Sequence, residues 1–344
     1  MVIEEHDASQ QDSVVSAYSG DDSDGFENSL RPTDFDGYIG QGEVKDNLKV
    51  FCQAAKNRGE ALDHTLFYGP PGLGKTTLSM IIAKEMEVGL RITSGPALEK
   101  PGDLAAILTN IKEHDVLFID EIHRLRHPVE EILYSAMEDF AIDLIVGKGP
   151  SARTMRLTVP PFTLIGATTK ASMLAGPLRD RFGHVEKLRF YEPNEIQQIL
   201  ERSAQILEIE IEKDAAEQLA RCARRTPRIA NRLLRRMRDF AEIQHDGCIT
   251  VAVVEQGLKS LSIDSRGLDH GDQEYLEILS RHFRGGPVGL STIAAAIGED
   301  ENTLEDMVEP FLIREGLIQR TPRGRMLTDH GTSYGLGLFT SSEK

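Results

Sequence analysis

The sequence predicts an α/β fold: a parallel sheet with helices on both faces, continued by a small all-helical domain and a C-terminal winged helix. Three observations predict it. Between residues 29 and 190, the short apolar runs around Leu66-Phe67-Tyr68, Val116-Leu-Phe-Ile-Asp120 and Phe162-Thr-Leu-Ile-Gly-Ala-Thr168 alternate with helical stretches, as strands covered by helices do. From Tyr191-Glu192-Pro193 the β-type runs stop. Residues 194–262 read as helix alone, with Ile229, Leu233 and Met237 on one face. Over residues 263–336, three helical segments (273–283, 291–297, 303–314) precede two short runs around Pro322-Arg323-Gly324, the pattern of a winged helix-turn-helix.

The segments outside these three are short. Residues 1–28 hold eight acids (Glu4, Glu5, Asp7, Asp12, Asp21, Asp22, Asp24, Glu27) and neither Lys nor Arg, so they supply half of the net charge of −16. Too few large apolar side chains are present to offset ordering entropy, and a disordered acidic tail is expected there. Residues 337–344 read as a second flexible tail. The acidity of the whole chain therefore does not exclude a nucleic-acid partner. No run of ~18 apolar residues and no basic, apolar leader is present, so a soluble, cytoplasmic protein without membrane contact is expected. Cys52, Cys222 and Cys248 form no CxxC pair, which argues against a disulfide framework or a structural zinc.

The chemistry is concentrated at strand ends. Gly69-Pro-Pro-Gly72-Leu-Gly74-Lys75-Thr76-Thr77 fits GxxxxGK[ST], and it follows an apolar run and opens a helix. Glycines let backbone N–H groups close around phosphates, the helix N-terminus adds its positive dipole end, Lys75 reaches the β- and γ-phosphates, and Thr76 offers a hydroxyl to Mg2+. About 45 residues on, the second run delivers Asp120 and Glu121 at its C-terminal end, where ligands of open α/β sheets sit. Asp120 is suited to hold Mg2+ and Glu121 to polarise the attacking water. The third run ends in the hydroxyls of Thr168 and Thr169, which can report a γ-phosphate to the sheet. Together these residues predict a nucleotide bound with Mg2+ as cofactor.

Gly-Pro-Pro-Gly in the phosphate loop and Asp120-Glu-Ile-His123 resemble the AAA+ P-loop ATPases. Leu30-Arg31-Pro32 with Tyr38-Ile39-Gly40-Gln41, Asp120 to Leu125, Pro177 to Gly183, Thr226 to Leu234 and Gln319 to Arg325 look more specifically like the RuvB family of branch-migration motors, over residues 29–330. The resemblance implies an AAA+ core, a helical lid (191–262) and a DNA-binding winged helix, working as a homohexamer. It implies that Leu30, Arg31, Tyr38 and Ile39 cradle adenine and ribose, and that Tyr191 closes over the base. Arg181 becomes the finger reaching a neighbour's γ-phosphate, Arg228 the lid sensor of the subunit's own nucleotide, and Glu138, Asp139 and Phe140 lie toward a nucleotide site. Two departures stand out: Arg225 replaces the family's usual glycine, and Arg126-His127 a small residue.

Eight arginines and no acid lie between Arg221 and Arg238, a face expected to be solvated or at a subunit interface rather than on DNA. In the winged domain, Glu301, Glu305, Asp306 and Glu309 repel a major groove, whereas Arg320, Arg323 and Arg325 at the wing suit phosphate contacts without base reading. A hairpin at 142–159 carries Leu144, Ile145 and Val146, costly to expose and expected to meet a protein partner. The resemblance implies that this partner is the RuvA-like junction-binding protein, the substrate double-stranded DNA at four-way junctions, with a junction resolvase as a further associate. Two other readings compete with this one. A protein unfoldase needs an aromatic pore loop, absent from residues 93–102. A clamp-loader- or initiator-like nucleotide switch turns over little, and a complete Glu121 and Arg181 set favours turnover.

Overall fold

The computed structural model describes residues 22–146 and 153–334. The tip of the hairpin, the last residues and most of the acidic tail lie outside them. The chain enters through α1 (Asp22–Leu30) and α2 (Gly42–Arg58). It then alternates β1 (Thr65–Tyr68), α3 (Lys75–Met86), β2 (Leu90–Ser94), α4 (Pro101–Leu108), β3 (Val116–Asp120) and α5 (His127–Asp139). The hairpin β4 (Ala141–Val146) and β5 (Arg153–Thr158) interrupts this alternation before β6 (Thr163–Thr168), α6 (Gly176–Arg179) and β7 (His184–Lys187). Five strands pair in parallel in the order β2-β3-β6-β1-β7, and β4-β5 form a separate antiparallel pair.

Strand side chains alternate between faces, and the two cores separate accordingly. Phe67, Val116, Phe118, Ile165 and Ala167 join α2 and α3 on one face, whereas Leu66, Leu117, Ile119 and Leu164 join α4 and α5 on the other. β3 has four fully buried residues before Asp120, which is why it reads as an unbroken apolar run. Each such side chain contributes roughly 1.5–3 kcal/mol of burial. β2 and β7 were not among the expected strands. Both lie at the sheet edges and keep exposed positions, Ile92 and Val185 among them, so neither shows the continuous apolar run that marked the central three.

The lid is α7 (Pro193–Ile206), α8 (Lys213–Cys222), α9 (Pro227–Gln244) and α10 (Val251–Ser260). Its apolar faces, Ile196, Leu200, Leu219, Leu233 and Met237, belong to the same continuous core as the α2/α3 face of the sheet. The winged domain, α11 (His270–Arg281), α12 (Leu290–Ile297), α13 (Glu301–Thr303), α14 (Glu309–Arg314), β8 (Ile318–Thr321) and β9 (Gly324–Leu327), has its own core. Between α13 and α14, residues 304–308 form a π-helical turn, so the expected single helix starts two residues early and is locally widened.

The domains meet through cations. Arg314 stacks on Phe190 at 4.2 Å and Phe311 at 5.0 Å, Arg224 lies 4.5 Å over Phe311, and Lys170 pairs with Asp306 at 2.7 Å. Such cation–π contacts contribute ~0.5–2 kcal/mol each. Arg224 also pairs with Asp269 at 2.7 Å and with the buried Asp272. Burial pushes the Asp272 carboxyl up to about 7 despite that arginine, and Asp269 raises it further.

Arg225, the departure from the family glycine, has φ 55° beside Arg224 at φ 51°. The left-handed region explains why glycine is favoured there. The tail reading is corrected in its last seven residues. They are helical in α1, with Leu30 buried at its end. Cys52 and Cys222 are buried free thiols, and burial raises them to about 12 and about 11.

Candidate nucleotide site

β1 ends at Tyr68, and the chain turns sharply through the phosphate loop before α3 begins at Lys75. Gly72 and Gly74 have φ of 75° and 97°. A Cβ on Gly74 falls 2.6 Å from the Tyr38 hydroxyl, and one on Gly72 falls 2.7 Å from Thr226, so both glycines are required by space as well as by torsion. Lys75 is 7% exposed. Its Nζ donates to the carbonyls of Gly69 and Pro70, both at 2.8 Å, and burial lowers its pKa against the pull of Asp120 and Glu121.

β3 carries Asp120 to the mouth of this loop, and Glu121 follows in a left-handed conformation, φ 47° and ψ 44°. A non-glycine residue held there is strained, and such strain concentrates at functional sites. The turn separates the two carboxylates. Asp120 Oδ1 accepts the Glu121 N–H at 2.9 Å, while Glu121 Oε2 lies 3.4 Å from the Thr169 hydroxyl and 3.2 Å from His123 Nδ1. Hydroxyl and carboxylate oxygens are the hard ligands that Mg2+ takes, and Thr76 and Asp120 line the same cavity.

The cavity measures about 180 Å3 and opens between the sheet and the lid. Of the residues expected at the nucleotide, Leu30, Arg31, Tyr38, Ile39, Gly72, Gly74, Lys75, Thr76, Thr77, Asp120, Glu121, Tyr191 and Arg228 line it. Tyr191 and Tyr38 are buried, hydrogen-bonded to each other at 3.0 Å and both within reach of the Leu73 carbonyl. Burial raises both phenols, Tyr191 to about 12. Gly69 and Thr168 stand just behind the lining, joined by the Gly69 N–H donating to the Thr168 carbonyl at 3.2 Å.

Sequence reasoning missed Glu27, Ile199, Arg202 and Asn231, which also line the cavity. Arg202 donates to the Leu30 carbonyl at 2.9 Å, and Glu27 lies 3.6 Å from Arg228 Nε. Asn231 is one helical turn beyond Arg228, so the spacing on α9 held the signal. Glu27 had none, because its segment carries only an acidic composition.

Four further expected residues lie away from the cavity. Glu138, Asp139, Phe140 and Arg181 cluster on α5 and after α6. Arg181 pairs with Glu138 at 3.1 Å, lies 4.6 Å over Tyr134, and has a buried Nε without a hydrogen-bond partner among the described residues. Asp139 pairs with Arg156 of the hairpin at 3.0 Å. The side chains of Leu144, Ile145 and Val146 lie outside what the structure describes; the register sets Leu144 opposite Met155, which is exposed.

In the wing, the grouping of four groove-facing acids is corrected. Glu309 is fully buried and binds Arg320 at 2.6 Å, Arg325 at 2.9 Å and the Tyr275 hydroxyl at 2.8 Å. Glu305 also pairs with Arg320, at 3.1 Å, and Asp306 pairs with Lys170. Arg323 is exposed at the turn, and among the described residues it forms no salt bridge.

Comparison with known proteins agrees with this geometry over all three parts. Residues 30–188 match the Holliday junction DNA helicase RuvB P-loop domain, residues 191–264 the RuvB AAA lid domain, and residues 265–335 the RuvB C-terminal winged helix domain. The solved Thermotoga maritima RuvB Holliday junction branch migration motor superposes with a TM-score of 0.80 at 46% identity, covering 89% of this chain and 98% of that one. A lysine-to-arginine variant of the same Thermotoga protein gives 0.81 at 46% identity, covering 89% and 97%. With a phosphate loop, paired carboxylates and lid arginine converging on one cavity, and a match in each domain, the chain belongs to the RuvB family of AAA+ Holliday junction DNA helicases.

Proposed function

We propose that this protein is an ATP-driven motor that, as a homohexameric ring with a RuvA-like junction-binding partner, drives branch migration of four-way DNA junctions in recombination and repair. The observation that carries this reading is the convergence of Lys75, Thr76, Asp120, Glu121 and Arg228 on one cavity between the ATPase sheet and the lid. ATP enters with its base beside Leu30, Ile39 and Tyr191 and its phosphates over the loop from Gly69 to Thr77. Thr76 and Asp120 would hold Mg2+, which would supply charge neutralisation to the phosphates. Glu121 orients and polarises the attacking water, while Lys75 stabilises charge on the transferring group.

Arg181 lies away from the subunit's own cavity, paired with Glu138. That placement supports a finger offered to a neighbour, with Glu138, Asp139 and Phe140 at the same subunit boundary. Activity then depends on ring assembly. Arg228 on α9 links the nucleotide to the lid, and the cation contacts of Arg224, Arg314 and Lys170 link the lid and sheet to the winged domain. DNA contact falls chiefly to Arg323, because Arg320 and Arg325 are committed to Glu309. The exposed Met155 supports a protein partner on the hairpin that carries Leu144, Ile145 and Val146.

The test is dissociation of a synthetic four-way junction by the purified protein with ATP, Mg2+ and the junction-binding partner, beside Lys75→Ala and Glu121→Gln. Separation by the wild type and failure by both variants is the expected result. Hydrolysis that leaves the junction intact removes the motor reading and keeps the ATPase site, whose substrate then lies elsewhere.

A further inference from the structure

We propose that His123 is a positioning residue that carries the state of the Thr168 hydroxyl to Glu121, so that the carboxylate is set for its water only when Thr168 has met the γ-phosphate. The inference deepens the ATPase reading above and rests on it. His123 sits in the short helical turn Ile122–Arg124 that follows the strained Glu121. Its side chain is 6% exposed, and its Nδ1 is shared between two partners: Thr168 Oγ1 at 2.9 Å and Glu121 Oε2 at 3.2 Å.

One ring nitrogen cannot serve both at once in the same sense. If Nδ1 carries the proton, it donates to the Glu121 carboxylate; if it is bare, it accepts the Thr168 hydroxyl. Burial lowers the pKa of the ring, with the nearby Lys170 and Arg124 also lowering it and Glu121 and Asp120 opposing, so the neutral imidazole, with its two tautomers, is favoured. Thr168 Oγ1 in turn accepts the Lys170 N–H at 3.0 Å, and the Thr168 carbonyl accepts the Gly69 N–H of the phosphate loop. The hydroxyl is therefore anchored at the sheet end directly behind the cavity lining, fully buried, with its proton directed either toward the cavity or to the ring. When a γ-phosphate takes the Thr168 proton as a hydrogen bond, the ring loses that donor, and tautomer exchange, with the Nε2 proton given up to water and one taken from water at Nδ1, lets Nδ1 donate to Glu121. The carboxylate is then held by His123 on one oxygen, and the other stays available to the water. Thr169, 3.4 Å from the same carboxylate oxygen, is too distant for a strong bond and does not duplicate the ring.

The experiment is a double-mutant cycle in the full-length protein, measuring kcat for ATP hydrolysis and Kd for a fluorescent ATP analogue in wild type, His123→Ala, Thr168→Val and the double variant, with His123→Asn as a fifth protein. Each single variant is expected to lower kcat at least tenfold with Kd changed less than threefold. The double variant is expected to be no worse than the poorer single one. Asn, whose side-chain amide reaches the position of Nδ1, is expected to restore kcat to within about threefold of wild type, a rescue that a packing role does not give. Multiplying losses in the double variant, an unchanged kcat in His123→Ala, or no rescue by Asn in a variant that melts with the wild type would each overturn the relay and leave the ATPase reading intact. A wild type that binds the analogue but hydrolyses no ATP overturns that reading, and the relay with it.

Discussion

The phosphate-loop end of the nucleotide cavity and the wing contain the same ingredients, basic side chains beside carboxylates, and dispose them in opposite ways. In the cavity, Lys75 meets two carbonyls, Asp120 a backbone N–H, and Glu121 a hydroxyl and a ring, so that no Lys75–carboxylate ion pair forms among the described residues. In the wing, Arg320 and Arg325 close directly on a Glu309 that has no solvent contact. Charge left without its opposite in a cleft is available to a ligand, whereas charge neutralised around a buried carboxylate belongs to the fold. Basic residues at a turn are therefore not equivalent; what they are already paired with decides their role.

The sharpest way to break this comparison is to exchange the readouts. Lys75→Ala is expected to cut ATP turnover by ~100-fold or more while the melting temperature stays put, because the cost of burying the ammonium offsets its two carbonyl hydrogen bonds and its task is transition-state charge. Glu309→Ala is expected to do the reverse, destabilising the winged domain by roughly 3–5 kcal/mol through two stranded arginines and a buried phenol. Denaturant unfolding with an ATPase assay on both proteins checks this. A stable Glu309→Ala protein would show the wing arginines to be free after all.

A smaller effect tests the junction of lid and winged domain. Asp272 binds its proton more tightly in the folded state, at about 7, than an ordinary aspartate does unfolded. The stability it contributes is complete below about pH 4 and is lost as pH rises through 7, by at most ~1.4 kcal/mol per pH unit. Unfolding at pH 5 and pH 8 is expected to show this decline in the wild type, and Asp272→Asn should flatten it. Equal slopes in the two proteins refute the assignment.

Smaller again is Arg323→Ala. It should weaken duplex binding uniformly across sequences and lower the salt slope by about one, with no change in melting temperature. An unchanged slope moves the DNA contact elsewhere. The smallest expected effect is that of Arg225→Gly. Relief of a left-handed arginine offsets the entropy of glycine, so stability should rise by up to ~1 kcal/mol or stay level. A clear fall in chemical denaturation would mean that the contact of Arg225 with Glu192, 3.9 Å apart, outweighs the torsion.

The central strands, the phosphate loop and the carboxylate pair were legible in the sequence because each is written in consecutive residues. A buried parallel strand is a continuous apolar run, and a phosphate cradle is a loop closed by its own neighbours along the chain. The edge strands β2 and β7 were not legible, since a half-exposed edge lacks that run. Neither was the ordered end of the acidic tail, whose helix is held by a buried Leu30 and by Arg228, 201 residues after Glu27.

By itself, the sequence determined the fold class, the nucleotide chemistry and the division into sheet, lid and wing. Those depend on local periodicity and on motifs whose atoms are covalently close. Only the tertiary structure decided which charges are free. It paired Arg320 and Arg325 with Glu309, set Arg181 outside its own cavity, brought Glu27 to Arg228, and placed His123 between Thr168 and Glu121. Such partners are chosen by packing between distant segments, where burial makes an unpaired charge too costly to leave alone.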